Sequence, residues 1–379
     1  MRHRAAYPGL LILIVLALSS LFLLGPRLGT NAQNSTDCCG TNPITAPREL
    51  DFPYYSLCDG FSSTLNLVSN SPTTLDFIIA MHNLAGQTLL SNNMSIDPGA
   101  KMPVDLAGLI ASLGADPTGP FGEGSISVYF TGTIMPLVGQ LTMTNPALRL
   151  VHESEMVEND PGRSDIPAEL SGLWWGLSGG RDARIMVANM SANTVTADVF
   201  LDFQGHRHQG VALVFNPNET KVLSITRMLG DLNASPSEAP EGGITIIQRG
   251  PNPSLIAQGK VTDPVTGFSS TLQFPDPARQ QASALHAVGL PIGTPLTGSP
   301  YAGTGSFTPH VIARNLSDQP QVMTVTVEYP QGAAWNSTNW PGGPPVRWCV
   351  ILGDCRKAKR IRTTFSTIRT RTPPRSQDS

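Results

Sequence analysis

The sequence predicts a mostly β protein of tandem antiparallel β-sandwich domains, each with one short inserted helix. Three observations carry the prediction. Glycine and proline are abundant, 36 and 33 of 379 residues, about 18% against a usual ~12%, which disfavours helical bundles and favours many turns between short strands. Apolar residues alternate with polar ones along several segments. The chain also matches itself at a nearly fixed offset, the mark of repeated structural units.

At an offset of 119, Asn70 falls on Asn189, Gly86 on Gly205, Pro98 on Pro217 and Leu109 on Met228. One deletion later the offset becomes 118, and Ile126 falls on Ile244, Gln140 on Gln258, Thr144 on Thr262 and Pro146 on Pro264. A third copy begins where Val311-Ile312-Ala313-Arg314-Asn315 matches Met186-Val187-Ala188-Asn189 in pattern, with Gly332 following as Gly205 does. Within the units, Val195, Ala197, Val199, Leu201 and Phe203 alternate with polar Thr196, Asp198 and Asp202. Met323, Val325, Val327 and Tyr329 do the same in the third copy, so these stretches are half-buried strands. Gly86, Gly205 and Gly332 end them, where a hairpin turn needs positive φ.

The period then changes. Leu106, Leu109, Ile110 and Leu113 stand at i, i+3, i+4 and i+7, and Ile225, Met228, Leu229 and Leu232 repeat that spacing, which predicts an amphipathic helix of about two turns. Asp105 and Ser224 precede it as N-caps, their side-chain oxygens placed for the first free N–H groups. Ser125–Phe130 and Val138–Thr144, with Ile244–Gln248 and Ile256–Thr262, read as the closing strands. Each unit is therefore strands, one helix, then strands, about 90 residues in all.

In strand number, spacing and tandem arrangement, residues 60 to 346 resemble the immunoglobulin-like or fibronectin-like sandwiches of bacterial exported proteins. The resemblance is one of architecture: the Cys-Trp-Cys core signature of true immunoglobulin domains is missing. It implies no catalytic residue.

Arg2 and Arg4 precede an apolar run from Leu10 to Leu24, and Thr30-Asn31-Ala32 offers small residues at a peptidase site. This predicts a signal peptide over 1–32, cut after Ala32, and a secreted or cell-envelope protein. Membrane contact then arises only if the segment stays uncleaved. Residues 33–59 form an N-terminal segment, 60–150 the first sandwich repeat, 151–178 an acidic linker, 179–275 the second repeat, 276–305 a linker and 306–346 an incomplete third repeat. The basic tail, 347–379, is expected to be disordered. It holds nine Lys or Arg against two Asp, and it admits two readings: a tail that meets an anionic surface, or one read in a shifted frame from about Arg347. The abrupt end of the strand pattern favours the second. Cys38, Cys39, Cys58, Cys349 and Cys355 all flank the central region, so disulfides would tie down edges, and their spacing is not that of a zinc site.

Few residues suggest chemistry. Gly176-Leu177-Ser178-Gly179-Gly180 fits a nucleophile elbow, but that motif needs a strand entering and a helix leaving, and Ala183–Ala188 reads as strand. His206 and His208, with Asp202 nearby, have the composition of a metal site, yet the first copy has Gln87 and Leu89 there. The acidic run Glu153, Glu155, Glu158, Asp160 and Asp165 reads as a solvated linker. Trp174, Trp175, Trp335 and Trp340 are candidates for stacking on sugar rings, against the alternative of packing at domain junctions.

A net charge of −3 gives no electrostatic case for nucleic acid. No catalytic residue, metal or cofactor is expected. The reading is an exported, non-enzymatic structural, adhesive or spacer protein whose partner is a cell-surface or extracellular polymer. The alternatives are a carbohydrate-binding module array and a secreted hydrolase.

Overall fold

The computed structural model describes residues 46–132, 136–160, 163–164, 166–177, 181–250, 253–263, 265 and 268–274, and the backbone of six further strands between 284 and 367. The protein is mostly β. Among the described residues there are two seven-residue helices, one 3-10 turn (Pro120–Gly122) and several antiparallel sheets.

The first group of elements is β1 (Ala46–Ser56), β2 (Ser62–Ser69), β3 (Leu75–Asn83), β4 (Thr88–Leu90), β5 (Met94–Ile96), β6 (Lys101–Asp105), α1 (Leu106–Ser112), β7 (Glu123–Gly132), β8 (Leu137–Asn145), β9 (Leu150–Glu155), β10 (Val157–Asp160) and β11 (Arg163–Ser164). One sheet runs β11-β10-β1-β7-β3-β4, with β5 also on β3, and the other runs β6-β2-β8-β9. The second group is β12 (Glu169–Trp174), β13 (Asp182–Asn189), β14 (Val195–Phe203), β15 (His206–Phe215), β16 (Thr220–Ser224), α2 (Ile225–Asp231), β17 (Gly242–Arg249), β18 (Leu255–Asp263) and β19 (Phe268–Leu272). Its sheets run β12-β17-β14-β15 and β16-β13-β18-β19, the same orders as β1-β7-β3-β4 and β6-β2-β8-β9.

The registers refine the self-match. Thr64 opposes Asp105 and Thr142, as Arg184 opposes Ser224 and Lys260. The offset is thus 120 through the first strands, and the position matching Asn189 is Ser69 rather than Asn70. Local bonding agrees: Ser69 Oγ accepts from the Ser71 N–H, and Asn189 Oδ1 from the Ser191 N–H. A further residue is lost in the hairpin, ahead of the deletion that takes the offset to 118, since His82 pairs with Thr88 but Asp202 with Arg207.

In each group the inner faces of both sheets and the helix supply one apolar cluster. Phe52, Leu65, Ile79, Ile126 and Leu141 belong to the first, and Trp174, Ile185, Val199, Ile244 and Val261 to the second. Leu106 and Ile110 of α1 and Ile225 and Leu229 of α2 are fully buried, because positions i and i+4 share a helix face. The caps are as read: Asp105 accepts from the Gly108 N–H at 3.1 Å and Ser224 from the Arg227 N–H at 3.3 Å.

Strands also stand outside the ranges expected for the repeats. β1 lies in the segment expected to precede the first domain. The stretch 151–178, read as a linker, contains most of β9 together with β10, β11 and β12. Leu150, His152 and Ser154 are buried and Val151 and Glu153 exposed, a period-2 alternation that the acidic charge had obscured. Beyond residue 274 come β20 (Ala284–Val288), β21 (His310–Arg314), β22 (Gln321–Glu328), β23 (Ala334–Gly342), β24 (Arg347–Ile351) and β25 (Arg360–Thr367). They form the orders β20-β25-β22-β23 and β21-β24. A strand thus stands in the expected linker 276–305, and two stand in the expected disordered tail. Sheet ladders use main-chain groups, so the basic side chains of Arg360–Thr367 do not prevent its pairing with β22.

Candidate functional site

Among the described residues, the sequence-selected side chains do not converge. Trp174 is 0% exposed, donates through Nε1 to Ala239 O at 3.5 Å, and covers Gly242 so closely that a Cβ there would collide with its ring. It is a core residue and cannot stack on a sugar. Trp175 packs half-buried against the same core, with the Arg181 guanidinium 5.8 Å from its ring. Trp335 and Trp340 stand on β23 opposite Val327 and Met323, and their side chains lie outside the described residues. Ser178 lies outside them too, and the strands β12 and β13 flank its motif. His206 and His208 sit at the start of β15 with ring centroids 6.4 Å apart. His208 stacks on Phe203 at 4.0 Å, and Asp202 is taken by Arg207 at 2.9 Å. Among the described residues no three His, Cys, Asp or Glu side chains gather as a metal site, no helix is long and apolar enough to cross a membrane, and Cys58 is a free thiol.

Two polar clusters went unread in the sequence. On β1 and β7, Asp51 is fully buried and accepts hydrogen bonds from Ser127 Oγ at 2.6 Å and Asn159 Nδ2 at 3.0 Å. Burial pushes its carboxyl well above the usual range, and neighbouring Glu49 adds to this while the two donors oppose it. Nearby, His82 faces Ser125 across β3 and β7. Its Nδ1 bonds Thr88 Oγ1 at 2.8 Å, and burial holds the imidazole down to about 4. His82 Nε2 and Ser125 Oγ both lack partners. No hydrogen bond therefore links hydroxyl to imidazole, and the arrangement is not a proton relay.

The second cluster lies where the two groups meet. Lys260 of β18, 8% exposed, directs Nζ at the rings of Tyr54 (5.1 Å) and Phe61 (5.2 Å), a cation–π arrangement strengthened by desolvation. Burial, with Arg184 beside it, lowers its ammonium pKa. Tyr54 Oη donates to Glu123 Oε1 at 2.6 Å, and burial together with that carboxylate pushes the phenol up. Tyr54, Met143 and Met186 form a small buried cluster with Phe61 packed on it. Alongside, Ile166, Ala188, Met190 and Ile256 form another, against Val157.

Polar contacts continue the seam. The free edge of β9 is satisfied by side chains of β19: Ser269 Oγ donates to Val151 O and accepts from its N–H, and Thr271 Oγ1 donates to Glu153 O. Gln258 Nε2 donates to Glu153 O at 2.6 Å. At the hairpin after β3, the Thr220 N–H donates to Leu84 O at 3.2 Å. Gly86 there is at φ +84 and lies against Pro217 O, leaving no room for a Cβ, whereas Gly205, at φ +79, has open space around it. The signal for this seam was available in Met186, Ala188 and Ile256, apolar residues on strand faces that alternation alone assigns to solvent. No protein-family model matches the chain, and no characterised protein matches it in sequence.

Proposed function

We propose that the chain is an exported, non-enzymatic structural, adhesive or spacer protein built of tandem antiparallel β-sandwich modules with one short helix each. Its work is mechanical: it presents or separates surfaces through modules that hold a fixed relation to each other. The observation that carries this reading is the seam between the first two groups. A flexible string of domains would leave polar, hydrated surfaces on both sides of a linker. Here the segment joining them is itself strand, and buried apolar side chains and hydrogen bonds from both groups meet along three lines of contact. The stacking of His208 on Phe203, the pairing of Asp202 with Arg207 and the missing hydrogen bond between His82 and Ser125 favour this over a hydrolase.

Small-angle scattering of the full-length protein tests it. One narrow distance distribution, unchanged by salt, is expected, together with no turnover across ester and glycoside substrates. A broad distribution typical of tethered beads, or sustained hydrolysis lost in Ser178→Ala, would reject it.

A further inference from the structure

We propose that the seam between the first two modules is an acid-sensitive joint, opened when His152 takes up a proton that it has no acceptor to share. The proposal rests on the two-module reading above. His152 stands on β9, the strand that lies along β19, and is 2% exposed. Neither ring nitrogen has a partner, and its ring centroid is 6.0 Å from that of Phe61, whose ring also faces the Lys260 ammonium.

The surroundings offer an imidazolium little relief. From β18, Lys260 brings a positive charge to bear on it, and the neutral Gln258 bonds the adjoining Glu153 backbone. β19 contributes Ser269 and Thr271, both uncharged, bonded to the backbone of Val151 and Glu153 on either side. β8 contributes Met143, its register partner, which packs with Tyr54 of β1. Arg184, Glu123, Asp182 and Asp59 act on Lys260. Glu153, next to His152 on β9, is exposed, and its backbone oxygen is already bonded to Gln258 and Thr271.

Burial, then the Lys260 charge, lowers the imidazole from 6.5 to about 4. The open state therefore binds the proton more tightly. The closed joint keeps its full stability above about pH 6.5 and loses it as pH falls toward 4, a shift of about a hundredfold in the closed-to-open ratio between pH 7 and pH 4. The other buried imidazole among the described residues, His82, is on β3 and bonds within the first group.

The full-length protein is titrated from pH 7 to pH 4 while hydrogen exchange at the Val151 and Glu153 amides, scattering, and tryptophan fluorescence are followed. Exchange should rise and the modules separate while Trp174 stays buried. His152→Phe should remove the response, Lys260→Met should weaken it, and His82→Phe should leave it in place. A seam that is closed at pH 7 and unchanged at pH 4 overturns the joint alone, as does opening that persists in His152→Phe or that coincides with exposure of Trp174. Should His152→Phe fail to fold, an undiminished response in Lys260→Met overturns it. Modules already independent at pH 7 overturn the rigid-pair reading instead.

Discussion

Two matching sheet faces meet opposite fates. On β2 and β8 the outward positions Thr64, Asn66, Val68, Val138, Gln140 and Thr142 are all half-buried or exposed. Their register counterparts on β13 and β18 are Arg184, Met186, Ala188, Ile256, Gln258 and Lys260, and all but Arg184 are buried. The strand orders and pairings are the same, so the backbone does not make the difference. What differs is the neighbour: the second face is covered by Tyr54, Phe61, Val157 and Ile166 of the preceding elements. A strand's outward face takes its composition from what covers it, and two groups with the same strand order can therefore differ in whether that face meets solvent or a neighbour.

The sheet edges differ in the same spirit. In the first group the edge is broken into β4 and β5 by Ser91-Asn92-Asn93, and Ser91 caps Ile79 through both its backbone and its hydroxyl. In the second the edge is the ten-residue β15, interrupted only by a register shift, with Val211 and Val214 more than half exposed. Short, bulged edges resist pairing with other chains, and long apolar ones invite it.

Substitutions can sharpen or break this comparison. The largest effect belongs to the core positions that correspond, Trp174 and Tyr55, both 0% exposed and opposite Gly242 and Gly124. Trp174→Ala and Tyr55→Ala should each cost about 3–5 kcal/mol, measured by urea denaturation. A large cost at one and a small cost at the other would argue that the two groups are not equivalent. Tryptophan is absent from the first group, so fluorescence reports the later groups while circular dichroism reports all of them.

A middle effect is expected at the contrasted faces. Met186→Lys buries a second positive charge near Lys260 and should cost about 3 kcal/mol, whereas Asn66→Lys at the matching open position should stay within about 0.5 kcal/mol. Similar losses at both would dissolve the distinction between joint and surface. The smallest effect is at the caps: Asp105→Ala and Ser224→Ala should each cost about 1 kcal/mol, read from thermal midpoints. Unequal costs would mean that one helix is held mainly by packing.

How much was legible depends on range. The helices, their caps, the hairpin glycines Gly86 and Gly205 and the strands around Ile126, Gln140, Ile244 and Gln258 were readable because each reports on contacts a few residues away. The one-residue slip at Asn70 came from matching letters where the ladder matches hydrogen-bonding positions. β9 and β10 were missed because acidic charge outweighed alternation, and β24 and β25 because basic composition did. Trp174 was offered as a surface residue since an indole suits both a core and a sugar site, and only the closeness of Gly242 tells them apart.

By itself the sequence determined a β protein with a recurring strand–helix–strand order, since period, turn residues and caps act locally along the chain. The tertiary structure alone decided which faces are covered, that His152 and Lys260 are both buried at the seam, and that Asp51 sits buried between Ser127 and Asn159. Burial and electrostatic neighbours are set by residues up to a hundred positions apart, whose proximity no local pattern records.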